Sequence, residues 1–145
     1  MTNDIFISSR VRLARNIHGY PFLLKDKGAF EVVKGVYDSL RKLDRFELHH
    51  MLDFKETAAR AMMERHLISE DLIKNKQFGA VALSDDEVIS VMLNEEDHVR
   101  QQCILKGLSL KESHRRLKYI DSSLKSEIKF AYHSAYGYLT SCLTN

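Results

Sequence analysis

The chain has 145 residues, of which 44% are hydrophobic and 29% charged, and its net charge is +2. That length suits one domain with a real core, and so small a net charge argues for no nucleic acid and no membrane surface as partner. No apolar run approaches the ~18 residues of a membrane span. Met1-Thr2-Asn3-Asp4 lacks the basic start and apolar stretch of a signal peptide. Two cysteines, Cys103 and Cys142, make no disulfide framework and read as free thiols of a cytoplasmic protein. No repeat, low-complexity segment or Pro/Gly-rich linker marks a boundary, so residues 1–145 are read as a single domain.

In chain order, Ile5-Phe6-Ile7 is a short apolar strand signal, placed near residues 4–8. It runs into Ser8-Ser9-Arg10-Val11-Arg12-Leu13-Ala14-Arg15-Asn16. If the extended conformation continues, Arg10 and Arg12 share one face and Val11 and Leu13 the other. Two guanidinium forks on one face can clamp an anion, whereas a bare R-x-R is more often a solvated edge strand. His18-Gly19-Tyr20-Pro21-Phe22 turns the chain with its only proline. Helical spacing follows over about 28–43, with Phe30, Val33, Val36 or Tyr37, and Leu40 on one stripe. A strand is predicted over 46–52, where His49 and His50 alternate faces and so make a poor metal pair. A second helix is predicted from about Lys55 to His66, with Ala58, Ala61, Met62 and Arg65 on its stripe.

Residues 78–83 and 87–93 read as a hairpin with Ser84-Asp85-Asp86 as its turn. A third strand is placed at 99–105 and closed by Gly107. Ser109 with Glu112 is a capping-box pattern that opens a long helix, with Leu110, Leu117, Ile120, Leu124, Ile128 and Ala131 along it, stopping near 134–137. A last strand is predicted over 138–142. Between the second and third of the central strands lies Asn94-Glu95-Glu96-Asp97-His98-Val99-Arg100. Three successive carboxylates are costly to bring together unless they face water, cations or a cationic substrate. From composition alone, a solvated acidic turn and a functional site both remain open.

Four segments, taken together, carry a resemblance: Ser8 to Asn16, the Gly19-Tyr20-Pro21-Phe22 turn, Asn94 to Arg100, and Thr140-Ser141-Cys142-Leu143-Thr144-Asn145. In this order they resemble signatures of the ATP:guanidino phosphotransferases, the family of arginine and creatine kinases. Glu64 to Ser69 and Ser90 to Asn94 resemble most its bacterial protein-arginine kinase branch. The resemblance covers essentially the whole chain. It implies phosphoryl transfer from ATP with Mg2+ to arginine guanidino groups, with protein arginine side chains as substrate. Such transfers depend mostly on positioning and charge neutralisation.

By the resemblance, Arg10, Arg12 and Arg100 hold the ATP phosphates and His66 lies by the nucleotide. Glu96 holds the substrate guanidinium and serves as base, and Cys142 is the reactive cysteine beside the substrate. Ser9, Arg15, Asn94 and Thr144 are supporting candidates, Thr144 as a hydrogen-bond partner that lowers a thiol pKa. A guanidinium has a pKa above about 12, so a close carboxylate must orient it and assist proton loss. By itself Cys142 would read as a buried strand cysteine. The family's Cys-Pro-Thr-Asn is Cys142-Leu143-Thr144-Asn145 here. The family pattern also continues into a glycine-rich segment, more phosphate-binding arginines and a second substrate carboxylate, so the chain resembles the N-terminal half of a catalytic domain. Expected are a truncated kinase, a non-catalytic interaction or regulatory module, or one half of a two-chain kinase. The expected fold is α+β: a mainly antiparallel sheet with helices packed mostly on one face. Such a half-sheet should expose an edge and form a homodimer or pair with an activator or a chain supplying the missing half.

Overall fold

The computed structural model describes residues 5–145. Residues 1–4 lie outside it, and with them the first residue of the expected opening strand and the N-terminal tetrapeptide read above for a leader.

Five strands form one antiparallel sheet: β1 (Ser8–Arg15), β2 (Phe46–His50), β3 (Ala80–Ser84), β4 (Ile89–Leu93) and β5 (Val99–Lys106), in the order β1-β5-β4-β3-β2. Four helices accompany it: α1 (Lys27–Leu40), α2 (Glu56–Glu64), α3 (Glu70–Lys74) and α4 (Leu110–Glu127). The α+β class expected from the sequence is what the chain adopts. Side chains alternate across the pleat, so Ala80, Ala82, Val91, Leu93 and Val99 face α1 and α4, while Val81, Leu83 and Met92 face α2 and α3. The two long helices thus cover one face and the two short ones the other. Leu124 of α4 and Leu40 of α1 are fully buried in the first layer, each contributing about 2 kcal/mol of transfer free energy.

Several boundaries differ from the sequence reading, each for a local reason. The first strand is not Ile5-Phe6-Ile7 but the arginine-bearing segment after it. β5 supplies partners only from Val99 to Lys106, and Ser8 pairs with Lys106, so Ile5 and Ile7 lie beyond the ladder and are exposed. In α1 the buried stripe is Ala29, Val32, Val33, Val36 and Leu40, with Phe30 half-exposed, and Asp26 caps the helix by accepting from Gly28 N. The strand 46–52 stops at His50, where a single 3₁₀ turn begins. In α2 only Ala59 and Met62 are buried; Ala61 and Arg65 face solvent. α3 was not anticipated; Ser69 caps it by accepting from Leu72 N. The capping box at Ser109 does not form: the Ser109 hydroxyl donates to Lys106 O, and Glu112 is held by Arg115 and Arg116.

α4 ends at Glu127, well before 134–137, because Ile128 turns extended and Phe130 bridges back to Ile17. The expected last strand is likewise replaced. Only a two-residue hairpin forms there, β6 (Tyr132–His133) with β7 (Gly137–Tyr138), outside the main sheet. Residues 140–145 form an irregular turn that folds back onto the β4–β5 loop.

Candidate active site

β1 and β5 pair with Arg12 opposite Gln102, Arg10 opposite Ile104 and Ala14 opposite Arg100. Residues directly opposite in an antiparallel pair share a face. Arg10, Arg12 and Arg100 therefore converge on the face that carries α2 and α3. Burial, then the charges of Arg100 and Arg10, hold the Arg12 guanidinium below its ordinary pKa, with Glu95 opposing them. The three cations are close enough to repel, and an anion would relieve that repulsion. His66 follows α2 in the left-handed region (φ 60°) with its side chain exposed, and its carbonyl accepts from Gln102 Nε2 at 2.5 Å. Gln102 is the cross-strand partner of Arg12, so this bond sets His66 beside the arginine pair.

Two supporting candidates lie elsewhere. Arg15 is on the opposite face, where it bonds Asp121 at 3.1 Å and stacks over the Tyr138 ring. Ser9 is buried and joins two turns, donating to Gly107 O at 2.6 Å and accepting from Ser109 N at 2.9 Å. Neither is brought to the arginine cluster.

The acidic stretch is not a uniformly solvated turn. Asn94 sits at φ 53°, and its Nδ2 donates to Ala29 O and Phe78 O, so it fixes the backbone bend. The Glu95 side chain is fully buried and accepts from Arg100 Nη1 at 2.6 Å. Burial raises Glu95 above the usual carboxylate range, against the pull of Arg100 and Ser69. Asp97 is 3% exposed and His98 1%. His98 accepts Ile17 N–H at Nδ1 (2.9 Å), which leaves Nε2 to donate to Pro21 O (2.8 Å) as a neutral ring. Burial holds it below the ordinary histidine pKa. Of the three carboxylates only Glu96 is presented to solvent.

The 140–145 turn closes the site. Ser141 Oγ donates to Glu96 O at 3.0 Å, and Asn145 Nδ2 donates to Glu96 Oε2 at 3.3 Å. Arg100 Nη2 donates to Asn145 Oδ1 at 3.2 Å, so one amide spans the free carboxylate and the innermost arginine. Cys142 Sγ and Thr144 Oγ1 are 3.0 Å apart on the same turn. Chemically, the arrangement offers an anion-binding cluster, a free carboxylate able to bind a guanidinium, and a half-buried thiol alongside. Among the described residues no group of three or more His, Cys, Asp or Glu side chains gathers as a metal cage.

The family model described as "ATP:guanido phosphotransferase, C-terminal catalytic domain" matches residues 29–145. The chain belongs to the ATP:guanido phosphotransferase family. Relatives include a protein-arginine kinase of Desulforamulus reducens, 42% identical over 151 residues that take in 99% of this chain, and one of Halalkalibacterium halodurans, also 42% identical. The chain spans 42% of the length of each. In fold it is similar to the duplicated taurocyamine kinase of Schistosoma mansoni with bound transition-state-analogue components, with a TM-score of 0.89 at 22% identity over 97% of this chain and 22% of that one. Lombricine kinase gives a TM-score of 0.79 at 19% identity over 97% of this chain and 44% of that one.

The residues at this site that the motifs did not single out are Glu95, Asp97, Asn16, His98, Gln102 and Asn145. Each is polar and buried or bridging, and all but Glu95, which pairs with Arg100, bond to residues far away in sequence. Only the density of polar residues around the Glu96 loop hinted at them.

Proposed function

We propose that this chain carries the phosphate-binding arginines and the guanidinium-binding carboxylate of an ATP-dependent protein-arginine kinase. The observation that carries the proposal is the convergence of Arg10, Arg12 and Arg100 on one sheet face, next to the loop that leaves Glu96 free. Bacterial protein-arginine kinases at 42% identity support arginine side chains of proteins as the acceptor.

In this reading Arg10, Arg12 and Arg100 cradle ATP phosphates, and His66 borders the nucleotide. Mg2+ enters with the nucleotide as part of the substrate and neutralises phosphate charge. Glu96 orients the acceptor guanidinium and takes its proton as the N–P bond forms and the P–O bond to the leaving ADP breaks, while Cys142, with Thr144 beside it, flanks that guanidinium. Glu95 keeps Arg100 aimed, because a fully buried carboxylate leaves its guanidinium partner few other geometries. A cytoplasmic setting accords with the two unpaired cysteines.

Charge stabilisation is usually the largest catalytic contribution, and the 145-residue chain holds one free carboxylate at the loop. We therefore expect weak ATP binding and no phosphoarginine formation from this chain alone. Activity on an arginine-rich protein is expected once a chain carrying the remaining part of the relatives is added, and Glu96→Gln should then abolish most of it. Robust activity from the 145-residue chain alone would overturn the split-site reading, and full activity of Glu96→Gln in the reconstituted pair would remove Glu96 as base.

A second reading, an interaction module that works by strand pairing, is favoured by one observation: β1 is an eight-residue edge strand of the sheet among the described residues. It calls for a homodimer or a stable complex with another chain. A monomer by light scattering at tens of micromolar, unchanged by the complementary chain, would count against it.

A further inference from the structure

We propose that Asp97 is a positioning residue which, together with Asn16, latches the Cys142-bearing turn onto the loop that presents Glu96. The bonds are specific. Asp97 Oδ1 accepts Asn16 Nδ2 and the Ser141 backbone N–H, both at 2.7 Å, and its Oδ2 accepts Asn145 Nδ2 at 3.1 Å. Asn16 has no exposed surface. Its Oδ1 accepts His98 N at 2.8 Å, its carbonyl accepts Ala131 N at 2.8 Å, and its Nδ2 also reaches Leu139 O at 3.3 Å.

Asn16 directly follows the strand that carries Arg10 and Arg12. The buried pair is thus the junction of three segments distant in sequence: the end of the arginine strand, the acidic loop and the terminal turn. Apart from it, the turn is held by Ser141 Oγ on Glu96 O and by the exposed Asn145 amide between Glu96 and Arg100. It has no regular structure, Leu143 is wholly exposed, and Ser141, Thr144 and Asn145 are exposed as well. Segments with few buried apolar contacts open locally at low cost, so polar bonds decide where this one rests.

An ionised carboxylate suits the task because it accepts at every lone pair and donates nothing. An amide that keeps its oxygen toward Ser141 N and Asn16 turns its NH2 against the NH2 of Asn145, and the reversed amide opposes both Asn16 and Ser141 N, donor against donor. The consequence for catalysis, a Cys142 kept at the guanidinium site, rests on the kinase reading. The latch itself rests on the bonds alone.

Hydrogen exchange read by mass spectrometry on the 145-residue chain tests it. In Asp97→Asn, exchange over residues 139–145 should rise about tenfold or more, the equivalent of one charge-assisted bond, while β3 and β4 keep their protection. Unchanged exchange over 139–145, or an even loss of protection across the whole sheet, would overturn the proposal. Asn145→Ala removes one exposed amide, with its bonds to Asp97, Glu96 and Arg100, and cannot unfold the core. It should raise exchange in the same segment by a smaller factor, and if Asp97→Asn does not fold, this variant decides the matter, with no local rise overturning the latch. A chain that fails to bind ATP yet shows the local rise would sink the kinase reading and leave the latch standing.

Discussion

The molecule contains two turns with three successive carboxylates, at opposite ends of the same strand. Asp85-Asp86-Glu87 joins β3 to β4, and Glu95-Glu96-Asp97 joins β4 to β5. In the first turn all three are exposed and their partners lie at the surface: Ser84 Oγ and Val88 N both donate to Asp86 Oδ1, and Arg45 and Arg65 pair with Asp85 and Glu87. In the second, two of the three are buried, and their partners are Asn16 just past β1, Arg100 of β5, and Ser141 and Asn145 of the terminal turn. Composition is the same and the outcome opposite. What separates them is whether the donors are buried with the carboxylate: Arg100 and Asn16 are largely covered, whereas Arg45 and Arg65 lie at the surface, and the loop with covered donors holds its remaining acid, Glu96, in place.

This contrast is open to attack, most forcefully at Asp97. Asp97→Ala would strand the donors of Asn16, Ser141 and Asn145, and should lower unfolding free energy by about 3 kcal/mol, read from urea midpoints. A change as small as that of an exposed turn residue would erase the difference between the two loops. Glu95→Ala leaves Arg100 without its counterion but with a route to solvent, so about 2 kcal/mol is expected by the same measurement. Arg12→Ala tests the cationic face that the second loop adjoins. Calorimetric ATP binding should weaken about tenfold, the worth of one charge-assisted contact, and fall further with salt. Equal binding by the variant would take Arg12 out of the phosphate site.

Acid gives a finer test. Folded His98 has a pKa below its unfolded value of 6.5, so below that pH the unfolded chain binds the extra proton. The stability contributed by neutral His98 is complete above about pH 6.5 and is lost as pH falls toward the folded pKa. Urea midpoints at pH 7.5 and 5.5 should therefore differ more in the parent than in His98→Gln; an identical difference would exclude His98 as the source. The smallest effect belongs to the first turn: Asp86→Ala should stay within about 0.5 kcal/mol of the parent.

The sheet was largely legible because β3, β4 and β5 announce themselves by alternation and a turn, and their pairing buries what the pattern says it should. β1 was legible by its arginines and misplaced by its apolar neighbours: Ile5-Phe6-Ile7 has the stronger strand composition, but a ladder extends only as far as its partner. α3, only five residues long, is too short for periodicity to show. The end of α4 depended on Phe130 finding Ile17, a tertiary event. At the site, Arg10, Arg12, Glu96 and Cys142 could be named from motifs. Asn16, Asp97 and Gln102 could not, because a buried polar residue looks like a surface one until its partner is known.

The pairing of β1 has a consequence for how the chain is made. Arg15 pairs with Val99 and Ser8 with Lys106, so the arginine strand waits for about ninety further residues before any neighbour exists. At about 5–20 residues per second that wait is roughly 5 to 20 s on the ribosome. During it an eight-residue strand with no partner is open to pairing with other nascent chains or to capture by a chaperone. The hairpin of β3 and β4 closes locally and early, while the strand bearing Arg10 and Arg12 can join only after it, as a late and slow step of high contact order. Assembly of the arginine-bearing face therefore waits on β5, and a chain stalled before residue 99 has no partner for the strand bearing Arg10 and Arg12.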